Sequence, residues 1–481
     1  MSRITLALAL LPLTACTAHT YDQVSAQRSG TEYLAAEVNI DRAADILFVI
    51  DNSGSMAEEQ ENLAANASSS GDPTSPCSAE GFAALQAYLA DNPELRQSDW
   101  DAEMQLIHEA CGFIERLMLH DNRFHIGVIS TDMHDCDMPF GSGARGSVPQ
   151  RGCLQSALGD DDPVLRWDSE DLAARFAATV RGMGVYGSAI EQGLAAAEHF
   201  LTPGHDTPPA GTCQRARDCS DDLERFWRER ELNACDLPQE TKLVLIFLTD
   251  EEDCSHGGAI DESVSGVTEQ CYTRSDELIP TSRFAQQLRG LKGRDDLVSV
   301  AVIGGLFDDG DGMQPSGCKL EGGQPTNSCD LTLGNSVATC SQCLNGQPIC
   351  PCHPAIDAAS CDGIAYPATN CCQADPAERY TALARAMPTH RLDTLCSTSF
   401  RDTLMAIADL ANRTDVVCLD QEVDADQALI YLLRADGNEL IVPPGLEQGW
   451  ALLESGRCLK FSGEWVPSPG DKIEVRLPIA E

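Results

Sequence analysis

Basic residues are few in this chain. Its 33 lysines and arginines stand against 75 aspartates and glutamates, for a net charge of −42. No basic stripe offsets that excess, so the surface repels phosphate and nucleic acid is excluded as a partner. Beyond the extreme N-terminus no stretch approaches the ~18 uninterrupted apolar residues that a membrane-spanning helix needs. The signatures of common hydrolases are missing as well. There is no Gly-x-Ser-x-Gly elbow and no His-Glu-x-x-His, and the ten histidines are scattered. His125, inside an apolar run, reads as a packed histidine.

What is present is concentrated in ADILFVIDNSGSM, residues 44–56. Ile46 to Ile50 has the length and β-branched content of a buried parallel strand. It ends on Asp51, and Gly54 permits a tight turn. Asp51, Ser53 and Ser55 can then point into one crevice. One carboxylate with two hydroxyls suits magnesium, manganese or calcium and suits zinc poorly. The alternative is a helix N-cap, for which Asp and Ser are favoured on capping grounds alone.

The Asp-x-Ser-x-Ser spacing resembles the metal-ion-dependent adhesion site of von Willebrand factor type A domains. Two downstream segments match the rest of that pattern: KLVLIFLTD, 242–250, ends on Asp250, and GSAIEQGLAAA, 187–197, opens a helix with Ser188 five residues before Gly193. The resemblance implies a metal set of Asp51, Ser53, Ser55, Ser188 and Asp250, with Ser188 standing where the family usually has threonine. It also implies direct coordination by the three serines, water-mediated contact by the two aspartates, and an open position for a carboxylate from a protein partner. Such a module binds and does not catalyse. Glu251, Glu252 and Asp253 follow the last ligand; we read them as a solvated acidic loop, the alternative being added calcium contacts.

The N-terminus reads as an export signal. Arg3 precedes an apolar run from Ile4 to Leu13, and Leu13-Thr14-Ala15-Cys16 resembles the bacterial lipobox, in which cleavage leaves Cys16 as the lipid-modified first residue. The expected organisation is a signal peptide over 1–15, a tether over 16–40, the von Willebrand A-like domain over 41–415 and a small β module over 416–481. The expected location is the bacterial cell envelope, anchored by lipid at the outer membrane or cell surface, and the chain looks like the lipoprotein-type von Willebrand A proteins of bacteria.

Strands near 45–50, 124–130, 242–249 and 297–303 alternate with helices near 56–67, 102–119, 169–181, 188–200, 281–291, 378–387 and 399–412. Residues 163–169 and 389–396 are candidates for further strands. That pattern predicts an α/β fold, a doubly wound and mostly parallel sheet. Five Gly/Pro-rich insertions interrupt it, near 68–100, 136–163, 204–238, 254–280 and 305–376, the last being the largest. They carry most of the 22 cysteines. Four of them follow strands and are expected on the metal side as a cystine-braced collar. With the export signal, so many cysteines point to disulfides, and setting Cys16 aside leaves an odd number, so at least one is free or paired between chains. Cys136 with Cys153 and Cys254 with Cys271 are each alone in a loop, and Cys418 with Cys458 bracket the C-terminal strands. Cys340, Cys343, Cys350 and Cys352 are an alternative zinc set, and FDDGDG, 307–312, is read as a turn.

The function expected from all this is an exported, lipid-anchored protein that binds a divalent cation and uses it to capture a protein ligand in adhesion or surface assembly. The alternatives are a metal-dependent hydrolase, and a structural envelope protein whose metal site is silent.

Overall fold

A computed structural model describes residues 32–478 apart from 92–101, 134–151, 157–161, 203–240, 261–269, 320–324, 327–373 and several shorter breaks. Two strands open the described chain, β1 (Glu32–Asn39) and β2 (Ala43–Ile50). Helices α1 (Ala57–Ala65), α2 (Ala79–Asp91), α3 (Ala102–Ala110) and α4 (Phe113–Leu119) lead to β3 (Arg123–Ser130) and the short β4 (Leu165–Arg166). Then come α5 (Leu172–Met183), α6 (Gly193–Leu201), β5 (Lys242–Leu248), α7 (Thr281–Gly290) and β6 (Val298–Gly304). Two small hairpins follow, β7 (Leu306–Asp308) with β8 (Met313–Pro315) and β9 (Cys318–Lys319) with β10 (Pro325–Thr326). The α/β part closes with α8 (Glu378–Arg385), β11 (Thr389–Thr394) and α9 (Arg401–Asn412).

The central sheet has six strands in the order β11-β6-β5-β2-β3-β4, all parallel except β4, which runs antiparallel to β3. Its inner strands are apolar without alternation because both faces are covered, the expected composition of a buried parallel strand. Alternate side chains of β2 enter two separate cores. Ile46, Phe48 and Ile50 pack with Leu63, Phe113, Phe176, Phe400 and Leu404, so α1, α4, α5 and α9 cover that face. Leu47 and Val49 pack with Leu194, Phe200, Phe284, Tyr380 and Leu383, so α6, α7 and α8 cover the other. Phe48 anchors the first core, its ring centroid 5.7 Å from Phe113 edge-on and 5.0 Å from Phe176.

The helix expected over 102–119 breaks at Cys111-Gly112 into α3 and α4. Here the chain passes so close to the end of α1 that a Cβ on Gly112 would lie 2.7 Å from Ser68 Cα. The Ile114 amide donates to the Ala67 carbonyl (2.9 Å), so α4 resumes the crossover that α1 begins. The first insertion, 68–100, which carries α2, together with α3 to which the Cys77–Cys111 disulfide clips it, therefore departs from the middle of a crossover rather than from a strand end. That corrects its expected place in a collar on the metal side.

After residue 415 the strands β12 (Val416–Cys418), β13 (Leu429–Leu433), β14 (Glu439–Val442), β15 (Gly449–Leu452), β16 (Cys458–Ser462) and β17 (Lys472–Pro478) form two sheets, β12-β16-β15 and β1-β17-β13-β14. They share a core that includes Val417, Ile430, Trp450, Phe461 and Ile473. Cys418 and Cys458 are disulfide-bonded. The Cys418 amide donates to Asp296 Oδ1 (2.9 Å), just before β6, so these sheets dock at the amino ends of the parallel strands. Within residues 16–40, expected to be a tether, 32–39 are instead strand β1, paired antiparallel along β17. The partner lies more than four hundred residues away, which no local pattern can announce.

Val38 is buried in that C-terminal core at 4% exposure. Val38→Ala is expected to lower stability by about 2 kcal/mol, measured by urea denaturation followed through tryptophan fluorescence; a free tether would show no change.

Candidate metal centre

β2 and β5 run in parallel register with Ile50 opposite Leu248, and the Asp51 amide donates to the Leu248 carbonyl (2.9 Å). Asp51 therefore leaves β2 where Thr249 and Asp250 leave β5. This is the point where strand order reverses, β2 leading outward to β3 on one side while β5 leads to β6 on the other. In open α/β sheets the crevice at that point is where ligands bind.

Short-range donors hold the Asp51 carboxylate. Oδ1 accepts from the Ser53 amide (2.7 Å) and Oδ2 from the Thr249 hydroxyl (2.8 Å). The hydroxyls of Ser53 and Ser55 are 3.0 Å apart. The Asp250 carboxyl is hydrogen-bonded by Ser55 and meets the carboxyl of Asp51. Asp51 with Ser53, Ser53 with Ser55, Ser55 with Asp250 and Asp250 with Asp51 thus form a closed chain of neighbours. Ser188 is joined to them more loosely: the Gly187 amide donates to the Asn52 carbonyl (2.7 Å), the Ser188 amide to Asp132 Oδ2 (3.1 Å), and Ser188 Oγ accepts from the Ile190 amide (2.9 Å). Its hydroxyl keeps a further lone pair.

The electrostatics are those of a site short of positive charge. Burial pushes the Asp51 carboxyl up, against the bonds from Ser53 and Thr249 that favour its ionised form. Burial, then the charges of Asp51 and Glu251, pushes Asp250 well above the carboxylate range. A hydrogen bond between two carboxyl groups requires a proton on one of them. Asp250 Oδ1 is buried with no hydrogen-bond partner among the described residues. A bare buried oxygen, a second carboxyl and adjacent hydroxyls fit a hard divalent cation in place of the proton. Among the described residues no three His, Cys, Asp or Glu side chains converge as a metal-binding group. A cation here depends on hydroxyl oxygens as well as on Asp51 and Asp250.

Three participants escaped the sequence reading. Gln60 in α1 donates Nε2 to the carbonyls of Asp51 and Gly184 (3.0 Å each), tying the end of β2 to the loop before α6. Glu191, 1% exposed, accepts from the Thr131 hydroxyl through Oε2, and its Oε1 has no hydrogen-bond partner among the described residues. Burial, then Asp51 and Glu251, raises it well above its ordinary value. Glu59, on the first turn of α1, is raised to about 7 by burial, then by Glu58 and Asp51. The one sequence signal was a glutamate inside the otherwise apolar opening of a helix, at 191.

Glu252 and Asp253 are not a solvated loop. Glu252 accepts from the amides of Glu378 (2.6 Å) and Arg379 (3.0 Å) at the start of α8. Asp253, 0% exposed, accepts from the Leu194 amide at the start of α6 (3.0 Å), from the Ser255 hydroxyl (2.7 Å) and from Arg379 Nε (2.9 Å). Helix starts carry unsatisfied amides, and here two converge on one acidic turn. Cys254 and Cys271 are disulfide-bonded and pack with Ile190, while the Cys254 amide donates to the Glu191 carbonyl (2.7 Å). Cys153 is also disulfide-bonded; Cys136 lies outside the described residues, as do Cys16, Cys340, Cys343, Cys350 and Cys352. Of FDDGDG, Phe307 and Asp308 lie in β7, paired with β8, while 309–311 lie outside the described residues.

No family model and no curated protein matches this chain.

Two outcomes are expected. A group whose pKa is raised by folding stabilises the fold below its unfolded value and loses that contribution as pH rises through the folded value. Glu59 moves from 4.5 to about 7, and Asp51, Asp250 and Glu191 shift the same way. Metal-free protein should therefore lose stability between those two pH values, by on the order of a few kcal/mol, and a saturating divalent cation should flatten the loss; urea denaturation across pH measures both. Asp253→Ala should cost about 3 kcal/mol in thermal unfolding by stranding Arg379 and uncapping α6, with the cation dependence of stability retained; loss of that dependence would make Asp253 a ligand.

Proposed function

We propose that this chain is an exported, lipid-anchored protein built on a doubly wound von Willebrand A-type domain, which binds a divalent cation and uses it to capture a protein ligand. The meeting of Asp51 and Asp250 at the ends of adjacent parallel strands carries the reading, because it leaves buried negative charge beside hydroxyl oxygens. The strand order with one antiparallel edge strand, and helices over both faces, support the domain type. Asp51, Ser53, Ser55 and Asp250 would hold the cation, with Ser188 at the side. Bound there, magnesium, manganese or calcium would offer an electron-poor position to an incoming carboxylate. The chain's own groups do the rest: Thr249 and the Ser53 amide fix the Asp51 carboxylate, and Gln60 fixes the loop opposite. Lipid attachment at Cys16 and a place in the bacterial envelope rest on the N-terminal motif alone.

Calorimetry on residues 17–481 with each of the three cations tests this. Saturable binding is expected, lost in Asp51→Ala and in Asp250→Ala. Absence of binding by the intact protein would reduce Asp51, Ser53 and Ser55 to a helix-capping turn.

A further inference from the structure

Glu191 is no part of the proposed cation set, yet it is buried at the same strand ends. Its Oε2 is occupied by the Thr131 hydroxyl, while Oε1 is buried with no hydrogen-bond partner among the described residues. A carboxyl oxygen in that condition calls for a water or an ion beside it. Its place in the fold shows which. Thr131 leaves β3 beside β2, its amide donating to the Ile50 carbonyl (3.2 Å), and its own carbonyl accepts from the Gln192 amide (3.1 Å). From the β5 side the Cys254 amide donates to the Glu191 carbonyl (2.7 Å), and from the Ser188 side the Gly187 amide donates to the Asn52 carbonyl (2.7 Å). Backbone bonds therefore fasten 187–192 to the segments that follow β2, β3 and β5, which frame the crevice. Of the charges around Glu191, Asp51 acts on it most strongly.

Glu191 nevertheless bonds to Thr131 and not to Asp51, Ser53, Ser55 or Asp250. It faces the site from outside the closed chain of neighbours that would touch a cation, which is the position of a group that acts through the cation's water. The two hard cations differ in how much such a group matters to them. Magnesium gives up water reluctantly and keeps several molecules in a protein site, whereas calcium takes a larger and more flexible set of oxygens. A carboxylate that meets the cation through water therefore favours magnesium.

We infer that Glu191 is a specificity-determining residue of this site, whose Oε1 holds a water of the cation's shell and so favours magnesium over calcium. This rests on the cation binding proposed above.

Calorimetry on the full chain with magnesium and with calcium tests this in Glu191→Gln, which keeps the side chain's shape and can still accept from Thr131. Magnesium affinity should fall at least ~10-fold and calcium affinity less than ~3-fold, the scale on which outer-shell groups act. Thr131→Val frees Oε2 while keeping the carboxylate, and should lower the magnesium-to-calcium affinity ratio by at least ~3-fold. If Glu191→Gln does not fold, that ratio decides, and no change in it overturns the inference. Equal loss of both cations in Glu191→Gln overturns it, because a missing charge or a general defect of the site weakens the two alike. Unchanged magnesium affinity overturns it as well. A lower thermal midpoint of the metal-free variant alongside would assign Oε1 to the fold, through a water shared with the Tyr380 hydroxyl, which is also buried without a hydrogen-bond partner among the described residues. In each of these cases cation binding itself stands. Binding of neither cation by the unaltered protein overturns the proposed function, and the inference falls with it.

Discussion

Two carboxyl groups meet at the ends of neighbouring buried strands, where burial and their mutual charge oppose the ionisation of both. The strands cannot relieve the conflict by moving. β2 is hydrogen-bonded to β3 and β5, β5 in turn to β6, and both faces of each are packed. Interiors packed to crystal-like density do not dilate to separate two charges. What remains is chemical: a proton between Asp51 and Asp250, or a cation in its place. Ser53 and Thr249 favour the ionised form of Asp51 while burial opposes it, so the site is poised between those two solutions.

The same rigidity extends past the strand ends. The turn after Asp250 fastens the start of α6 through Asp253, the start of α8 through Glu252, and the segment carrying Ser188 through the Cys254 amide on Glu191. The Cys254–Cys271 disulfide closes this turn against Ile190. Three elements are thereby fixed around the ends of β2 and β5. The acidic turn serves as mortar for the fold, whereas Glu59, Glu191 and Glu251 set the charge of the face.

Much of this was legible in the sequence where the signal was local. Asp51 directly follows an unbroken apolar run and Asp250 follows one after Thr249, and a carboxylate closing such a run is conspicuous in a single window. The parallel strands and the isolated pair Cys254 and Cys271 were readable for the same reason. Other features depended on distant partners. Glu252 and Asp253 look like solvated charges until α6 and α8 bring their amides to them. Gln60 looks like any polar helix residue until the carbonyls of Asp51 and Gly184 converge on it. β1 reads as a spacer because its sheet is made by the last strand of the chain, and α3 and α4 read as one helix because the contact at Gly112 comes from Ser68.

The position of β1 also bears on how the site is protected. Only residues 40–42 separate β1 from β2, and β2 ends on Asp51. A pull arriving from the N-terminal side would, without β1, enter the strand that ends on Asp51. β1 instead pairs antiparallel along the whole of β17, in a sheet docked at the amino ends of the parallel strands. Load along β1 is therefore resisted in shear by many backbone hydrogen bonds at once, at the end of the molecule away from Asp51 and Asp250. The registration of β2 against β5, on which the meeting of those two carboxyl groups depends, is mechanically separated from the segment that precedes β1.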